Sequence, residues 1–394
     1  MKLCFLQNVI SPHILPLAKC LADNVGSENF RYCSMEHITP QRRKLGWSED
    51  VTLPWLRVYD GHSSGDKEDF YEGAGVYAAE YVVCGIRDWD VLKHRDARGR
   101  RSIYVSERWF KPPIGILRLL SPRFLRMAME FVKVLTNSNV VQYFPVGIHA
   151  AEDMARLCGL LHGDIKCLFR APELDFDHEP YGDIRMKNGK CGRMYCLDKM
   201  RMWGYFVEPS KTYALQVQEA SKSNPCEIKV LWVGRLLNLK RVDTIVRAVG
   251  EHANLKRVDN SLPKITLDIC GTGPEEKRLK KMAAEYGDAI KFHPPVPIAE
   301  VRKLMQDHDV YVLASNAYEG WGAVVSEALE EGMKIIGTYE AGSSATILPD
   351  TNLFHAGDWR SLMKLLNGEV PKVGIGAWNP NSAAKLLVQI ANGR

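Results

Sequence analysis

The chain has 394 residues, of which 46% are hydrophobic and 25% are charged, and its formal net charge is +5. This length predicts two or three domains with substantial buried cores, and so small a net charge gives no reason to expect a nucleic-acid partner. The ten cysteines are irregularly spaced, which favours reduced thiols in the cytoplasm over a disulfide framework. The N-terminus turns polar too soon for a secretory signal, and no run approaches the roughly 18 apolar residues of a membrane span.

Strand-like and helix-like segments alternate through the N-terminal half. The apolar run at residues 2–9 predicts a buried strand, followed by a loop and an amphipathic helix through Leu21. Further strands are predicted at residues 101–105 and 140–146, and a helix at 150–161. This alternation is typical of a mainly parallel sheet wrapped by helices.

A second and more regular alternating series follows a polar connector at residues 208–225. The predicted strands and the helices between them are, in chain order, strand 228–233, helix 242–249, strand 265–270, helix 275–286, strand 290–293, helix 298–306, strand 310–314, a helix ending at Gly332, and strand 334–337. We therefore expect an N-terminal domain of residues 1–205, a C-terminal domain of residues 206–380, and a C-terminal helix in residues 381–394.

Two carboxylates make residues 318–332 the most informative stretch for function. Glu319 and Glu327 lie eight positions apart across a glycine-rich turn between a predicted strand and a predicted helix, with Glu327 on the second helical turn. Backbone N–H groups at such a helix start can hold a phosphate, and carboxylates accept hydrogen bonds from hydroxyls. The pair therefore favours a ligand with both groups, such as a nucleotide-sugar. Taken alone, it is more typical of a surface loop before a solvated helix.

Other features of the same half also follow predicted strands, where ligands of parallel α/β sheets collect. Arg235 and Lys240 place a guanidinium and an ammonium five residues apart, and such a pair can neutralise a diphosphate without a metal. Gly271 and Gly273 form a glycine turn that ordinary turn chemistry explains equally well. A Pro-rich loop at residues 293–297 is rigid and could hold a base through backbone groups.

In this order on successive strand ends, these features resemble the donor domain of GT-B glycosyltransferases, most closely glycosyltransferase family 4 of the bacterial surface-polysaccharide type, over residues 226–345. The resemblance implies an α/β GT-B fold, with two Rossmann-like domains facing each other across a cleft. It implies that Arg235 and Lys240 bind the donor diphosphate, Glu319 the transferred sugar and Glu327 the ribose. The further donor contacts that it implies are Gly234, Gly271, Gly273, Gly320, Trp321, Gly322 and, near the base, Val296.

The N-terminal half adds a weaker resemblance. Residues 104–108 are similar to a motif of the same family members, which implies acceptor-side roles for Glu107 and Arg108. The family often carries paired glycines after the first strand, and this chain does not. Some members present a histidine to the reaction centre, and three residues are candidates for it: His13, His94 and His149. Of these, His13 is best placed, in the loop after the first strand.

The resulting hypothesis is a retaining, metal-independent transferase without a cofactor, which moves a hexose from a UDP- or GDP-sugar to a glycan or polyprenyl-diphosphate-linked acceptor in surface polysaccharide biosynthesis. Retention follows from the resemblance alone. Metal independence is supported because no D-x-D with metal-ligand character sits at a strand end of the C-terminal half, while Asp88-Trp89-Asp90 is interpreted as a surface turn. The alternatives are a GT-B-type nucleotide-sugar epimerase and a non-catalytic nucleotide-sugar-binding protein.

Residues 98–136 interleave nine basic residues with apolar ones. Such a stretch can lie on an anionic membrane surface, which would suit a lipid-linked acceptor and would add a peripheral contact with the inner membrane. The alternative is a buried helix with a solvated basic face. The pattern lacks the base-reading residues of a nucleic-acid site.

Overall fold

The computed structural model describes residues 1–40, 43, 52–61, 66–135, 139–176, 181–187, 195–208, 226–373 and 378–393. The chain divides into two compact units. Unit 1 comprises Met1–Glu208 and Trp378–Arg394, and unit 2 comprises Pro209–Ala377. Beyond Glu208, the predicted connector at 208–225 lies outside the described residues. In the described part of the chain, no helix has both the length and the apolar character needed to cross a bilayer.

Unit 1 is built on a six-stranded parallel sheet. Its strands are β1 (Leu3–Gln7), β2 (Phe30–Ser34), β3 (Leu56–Val58), β4 (Tyr81–Cys84), β5 (Arg101–Ser106) and β6 (Val140–Pro145). They pair in the order β3-β2-β1-β4-β5-β6. This is the strand order of a Rossmann fold, whose topological switch point lies between β1 and β4. Every residue of β1 and β4 is buried, as expected for parallel strands covered on both faces.

The described helices of unit 1 before its last segment are α1 (Leu15–Val25), α2 (Lys67–Gly73), α3 (Trp89–Ala97), α4 (Pro122–Leu135), α5 (Ile148–Leu161) and α6 (Lys166–Phe169). A short antiparallel pair, β7 (Leu174–Phe176) and β8 (Ile184–Met186), follows them. Helix α3 is joined to the sheet by Arg95, whose guanidinium is fully buried. It donates to the carbonyls of Val76, Ala79 and Arg101 and to Ser102 Oγ. These acceptors offset the large cost of burying a cation.

Unit 2 repeats this architecture. Its strands are β9 (Glu227–Val233), β10 (Lys264–Cys270), β11 (Ile290–His293), β12 (Val310–Leu313), β13 (Lys334–Thr338) and β14 (Leu353–Phe354). Its described α-helices are α7 (Val242–Val258), α8 (Glu276–Ala283), α9 (Ile298–Gln306), α10 (Val324–Glu330), α11 (Gly342–Ile347) and α12 (Trp359–Asn367). The strand order β11-β10-β9-β12-β13-β14 again gives a Rossmann sheet, with its switch point between β9 and β12. The prediction of two Rossmann-like units is confirmed.

The last helix, α13 (Pro380–Ala391), belongs to unit 1 although it follows unit 2 in the chain. It packs against α1. The residue before it, Asn379, accepts a hydrogen bond from the Tyr181 hydroxyl at 3.1 Å through its carbonyl. Its own side chain accepts from the amide of Asn381 and caps the helix.

Two local expectations are wrong. Asp88-Trp89-Asp90 is the start of α3 and not a surface turn: Trp89 is buried in the core, and Asp88 accepts a hydrogen bond from the Tyr71 hydroxyl at 3.0 Å. Glu327 lies in the first turn of α10, not the second, because the helix begins only at Val324. Within the ranges that the structure describes, no three His, Cys, Asp or Glu side chains are grouped so as to hold a metal ion.

Candidate functional site

The loops that leave β9 and β12 meet at the switch point of unit 2. The amide of Asn316 donates to the carbonyl of Leu239 at 2.9 Å and joins the two loops. Beside this contact, the ammonium of Lys240 forms an ion pair with the carboxylate of Glu319. Ser315 Oγ donates to the same carboxylate oxygen at 3.1 Å. The Lys240 and Glu319 side chains are 20% and 14% exposed, so the pair is partly shielded from water.

Arg235 stands apart from this ion pair. It lies just after β9 and is exposed. Among the described residues it forms no ion pair with a carboxylate, so its guanidinium is available to an anion. Lys240 instead ends a 3₁₀ turn, Asn238–Lys240, directly before α7. The structure thus brings Lys240 and Glu319 together and leaves Arg235 at the surface of the same loop.

Close backbone packing explains three of the predicted glycines. Gly234 and Gly271 have φ values of 153° and 148°, which favour glycine. A Cβ on Gly271 would lie 1.9 Å from the carbonyl oxygen of Gly234, and one on Gly273 would lie 2.5 Å from that of Leu236. These glycines therefore let the loops after β9 and β10 touch backbone to backbone, whatever further contacts they make with a ligand.

The turn at Gly320-Trp321-Gly322 combines an open position with a buried one. A Cβ on Gly320 would meet no atom within 4 Å, whereas the Trp321 side chain is only 3% exposed. Trp321 can therefore contact a ligand only through its backbone. Gly322 has φ 87°. The Ser343 amide at the start of α11 donates to the Trp321 carbonyl at 2.9 Å, and this hydrogen bond holds the turn against α11.

Glu327 and Tyr311 form the interior of the same site. Burial raises the pKa of Glu327 from its ordinary 4.5 to about 7, against a smaller lowering by Arg302. Tyr311 is fully buried on β12, and its pKa is raised by burial and then by the charges of Glu327 and Glu319. The phenol thus lies in the field of both carboxylates. The sequence analysis missed Tyr311; its only signal is a single hydroxyl in an otherwise aliphatic strand.

Val296 lies in the Pro-rich loop between β11 and α9. Cys270 Sγ donates to the Pro294 carbonyl at 3.2 Å, which ties this loop to the end of β10. Val296 is partly buried between the exposed Pro295 and Pro297. The loop therefore offers a short apolar surface at the carboxyl end of β11.

Unit 1 contains a cavity of about 550 Å³ at the carboxyl ends of β1, β4 and β5. The polar side chains that line it are Gln7, Asn8, Ser11, His13, Arg87, Tyr104, Ser106, Glu107 and Tyr205. Two of the three predicted acceptor-side residues, His13 and Glu107, are among them. The cavity lies where ligands bind in open parallel sheets, outside the carboxyl ends of the strands at a switch point.

Tyr205 connects His13 and Glu107. Its ring stacks on the imidazole of His13 with centroids 6.0 Å apart, and its hydroxyl donates to Glu107. Burial lowers the pKa of His13 to about 4, so this imidazole is neutral near pH 7. Burial alone would raise the pKa of Glu107, but Lys111 and the Tyr205 hydroxyl outweigh it and lower that pKa. The cavity therefore pairs a neutral imidazole with an ionised carboxylate.

The third acceptor-side prediction, Arg108, does not line the cavity. Its Nε lies 3.6 Å from the carboxylate of the buried Asp153, which also accepts hydrogen bonds from the amides of Trp109 and Phe110. The cavity has a different arginine, Arg87, whose guanidinium lies 4.8 Å from the ring centroid of Trp109. The sequence analysis missed it, although it follows β4 as Arg235 follows β9.

The two remaining candidate histidines lie outside the cavity lining. His94 is on α3, where its ring packs at 3.9 Å against that of Tyr77. His149 is on α5, where its Nδ1 lies 3.2 Å from the carboxylate of Glu152.

Part of the chain matches a known family model. Residues 216–367 match the family model of "Glycosyl transferases group 1". The GtfA subunits of the UDP-N-acetylglucosamine–peptide N-acetylglucosaminyltransferases of Streptococcus pneumoniae and Streptococcus gordonii are 29% and 31% identical over 31% and 37% of this chain. These alignments span only 22% and 24% of the relatives' own lengths.

The fold as a whole also has known counterparts. The structure of HepE from Anabaena in complex with UDP covers 100% of this chain, and 98% of HepE is matched, with a TM-score of 0.57 at 15% identity. This likeness confirms the predicted fold class. The chain thus has the GT-B fold, and residues 216–367 are similar to the group 1 glycosyl transferases.

Proposed function

We propose that the protein transfers a hexose from a nucleoside-diphosphate sugar to a glycan or polyprenyl-diphosphate-linked acceptor, with retention of configuration and without a metal ion, in the synthesis of a surface polysaccharide. The observation that carries the proposal is the Lys240–Glu319 ion pair at the switch point of the group 1 domain. It provides a cation for a phosphate and a carboxylate for sugar hydroxyls within one hydrogen bond of each other.

UDP is the nucleotide that the similar proteins favour. The streptococcal relatives are named for UDP-N-acetylglucosamine, and HepE was crystallised with UDP. We therefore propose a UDP-sugar as donor, with GDP-sugars as the second class to test. Uracil would lie at Val296, and the ribose hydroxyls would donate to Glu327.

The charges of the site suit departure of a nucleoside diphosphate. As the glycosidic bond breaks, negative charge grows on the β-phosphate, where Lys240 and Arg235 stabilise it electrostatically. Glu319 would exchange part of its bond with Lys240 for hydrogen bonds from the sugar. That exchange holds the sugar while leaving the ammonium beside the leaving phosphate.

The acceptor would enter the cavity of unit 1. Glu107 is ionised there and can accept a hydrogen bond from an acceptor hydroxyl, and Arg87 can bind an anionic group such as a phosphate. The proposal places this reaction in the cytoplasm, with a peripheral contact at the inner membrane that would give access to a lipid-linked acceptor.

A screen of donors tests the proposal. The purified protein is heated with UDP-glucose, UDP-galactose, UDP-N-acetylglucosamine or GDP-mannose, and a matched donor at 100 times its Kd should add about 2.7 kcal/mol of stability. The matched donor is then incubated with the protein alone or with a polyprenyl-diphosphate-linked sugar as acceptor, each with and without EDTA, and the products are identified by mass spectrometry and NMR.

Three outcomes separate the candidate functions. With an acceptor, a retaining transferase releases nucleoside diphosphate, and the sugar bound to the acceptor keeps the anomeric configuration of the donor. An epimerase returns an altered nucleotide-sugar or its hydrolysed sugar in the absence of any acceptor. A binding protein is stabilised and turns nothing over. If none of these donors stabilises the protein, the assignment of a nucleotide-sugar site is wrong. Loss of activity with EDTA would contradict the proposal that the reaction needs no metal ion.

A further inference from the structure

An exposed apolar surface lies in unit 1, outside both sites described above. It begins in a 3₁₀ helix, Gly115–Leu120, directly before α4. Because a 3₁₀ helix has three residues per turn, residues spaced by three lie on one side of it. Ile114, Leu117 and Leu120 have this spacing, and they are 51%, 61% and 80% exposed.

Helix α4 continues the surface. Leu125 and Met129 are one turn apart, so they share a face, and they are 40% and 57% exposed. The adjoining stripe of α4 forms core contacts, since Ala128, Phe131 and Val132 are buried and Phe131 stacks on Trp109 at 4.4 Å. Leu125 and Met129 therefore border the core-facing stripe and stay largely in solvent. We call residues 114–133 the α4 face.

The net charge of the α4 face is positive. Its basic residues are Arg118, Arg123, Arg126 and Lys133, and its one acidic residue is Glu130. Glu130 lies 3.6 Å from the ammonium of Lys93, which neutralises it. In the described part of the chain, neither Arg123 nor Arg126 has a carboxylate partner, and both are exposed. Long basic side chains can rest their stems on an apolar surface and keep the charge in water.

We propose that the α4 face docks this protein on an anionic phospholipid bilayer. Ile114, Leu117, Leu120, Leu125 and Met129 would enter the boundary between headgroups and acyl chains, and the arginines would contact lipid phosphates. Interfacial elements combine an apolar side with a basic one in this way. Contiguous exposed apolar side chains on a soluble protein mark an interaction site.

The charge selects the bilayer over a second copy of the chain. Self-association through this face would bring two sets of arginines together, and juxtaposed like charges oppose association. An anionic bilayer provides the opposite charge and an apolar layer at once. The inference does not depend on the transferase activity, because none of the α4-face residues belongs to the donor loops or to the cavity of unit 1.

Flotation with lipid vesicles tests the proposal. The full chain is mixed with vesicles of pure phosphatidylcholine, or of phosphatidylcholine and phosphatidylglycerol in equal parts, at low and at high salt. We expect binding to the anionic vesicles that weakens at high salt. The Leu117→Glu/Leu120→Glu variant should lose the bound fraction, and Arg123→Gln/Arg126→Gln should weaken binding by about tenfold or more.

Matched variants in unit 2 serve as controls. Leu255→Glu/Val258→Glu changes two exposed apolar residues of α7, and Lys277→Gln/Lys281→Gln removes two exposed charges of α8. Both should bind vesicles as the wild type does, and all four variants should keep the wild-type circular dichroism spectrum and thermal unfolding curve.

Three results would overturn the proposal. The first is equal binding by wild type and both α4-face variants, and the second is no binding to anionic vesicles at low salt. The third is sedimentation of the wild type as a dimer that Leu117→Glu/Leu120→Glu converts to a monomer without any change in lipid binding; that result assigns the face to a second copy. Nucleotide release in the absence of vesicles is measured in parallel, so failure of the proposed function is scored separately.

Discussion

Lys240 and Glu319 form an ion pair although 79 residues separate them in the chain. The contact exists because β9 and β12 are neighbours at the switch point of a Rossmann sheet, so the loops that leave their carboxyl ends meet. Without a donor, each residue satisfies the other. We propose that a diphosphate-sugar offers both residues a better partner and competes with this ion pair.

Replacing Lys240 with Met should weaken binding of UDP by about tenfold or more, since a charge-assisted contact to phosphate is lost. It should also lower the free energy of unfolding by about 1–2 kcal/mol, because Glu319 keeps a partly buried carboxylate that loses its ion pair and retains the hydrogen bond from Ser315. Isothermal titration calorimetry and urea unfolding measure the two effects. Lys264→Met, which breaks the more exposed Lys264–Glu227 pair at the other end of β9, should leave UDP binding unchanged; an equal loss in both variants would argue against a specific role for Lys240.

Two glycine-to-alanine changes should differ in their effect on the stability of unit 2. Gly271→Ala places a methyl group 1.9 Å from the Gly234 carbonyl oxygen at φ 148°, so it should destabilise unit 2 by several kcal/mol, on the order of 3. Gly320→Ala meets no protein atom within 4 Å and should unfold like the wild type. If a donor packs on this backbone, Gly320→Ala should still weaken donor binding. Normal donor affinity with a normal melting temperature would show that the ligand lies elsewhere.

The buried carboxyl of Glu327 makes stability depend on pH. Its folded pKa of about 7 exceeds its ordinary value of 4.5, so the folded state binds this proton more tightly than the unfolded state. Its contribution to stability is complete below pH 4.5 and is lost as pH rises through 7, by about 3 kcal/mol at most. Glu327→Gln removes this dependence. Urea unfolding at several pH values measures the difference: as pH rises from 5 to 8, the free energy of unfolding of Glu327→Gln should increase relative to that of the wild type. Parallel profiles would mean that Glu327 is ionised in both states.

A substitution in the unit 1 cavity should weaken binding of the acceptor and leave binding of the donor unchanged. Glu107→Gln removes an ionised acceptor of hydrogen bonds and keeps the shape of the side chain. We expect the KM for the acceptor to rise by about tenfold, while calorimetry shows unchanged UDP affinity. Glu173→Gln, which removes the carboxylate of an exposed pair with Arg170 in the same unit, is the matched control. A fall in UDP affinity with Glu107→Gln would contradict the separation of the two sites.

Local periodicity predicted much of the fold. The helix expected at residues 298–306 is α9, and strands β9 to β13 lie within about one residue of their predicted limits, because buried parallel strands read as short apolar runs between glycine and proline turns. The two local errors share a cause. At Trp89 and at Val324, tertiary packing decides where a helix begins, and no local pattern shows it.

The sequence could indicate the residues of the site one by one, each at the end of its own strand, but not their contacts with one another. Arg235, Lys240, Glu319 and Glu327 each follow a strand or open a helix, so the sequence could indicate them. The pairing of Lys240 with Glu319 depends on sheet order, which links residues far apart in the chain. Tyr311 and Arg87 were missed because a buried phenol and a lone arginine carry no spacing signal until their neighbours are known.

The central claim is that Glu319 acts on the transferred sugar at a donor site that it shares with Lys240. The most direct measurement compares wild type, Glu319→Gln and the control Glu227→Gln for affinity to UDP and for sugar transfer from the matched donor. The account predicts that Glu319→Gln binds UDP within about twofold of the wild type but transfers sugar at least about 100-fold more slowly, with Glu227→Gln unchanged in both. Transfer by Glu319→Gln at the wild-type rate would contradict it.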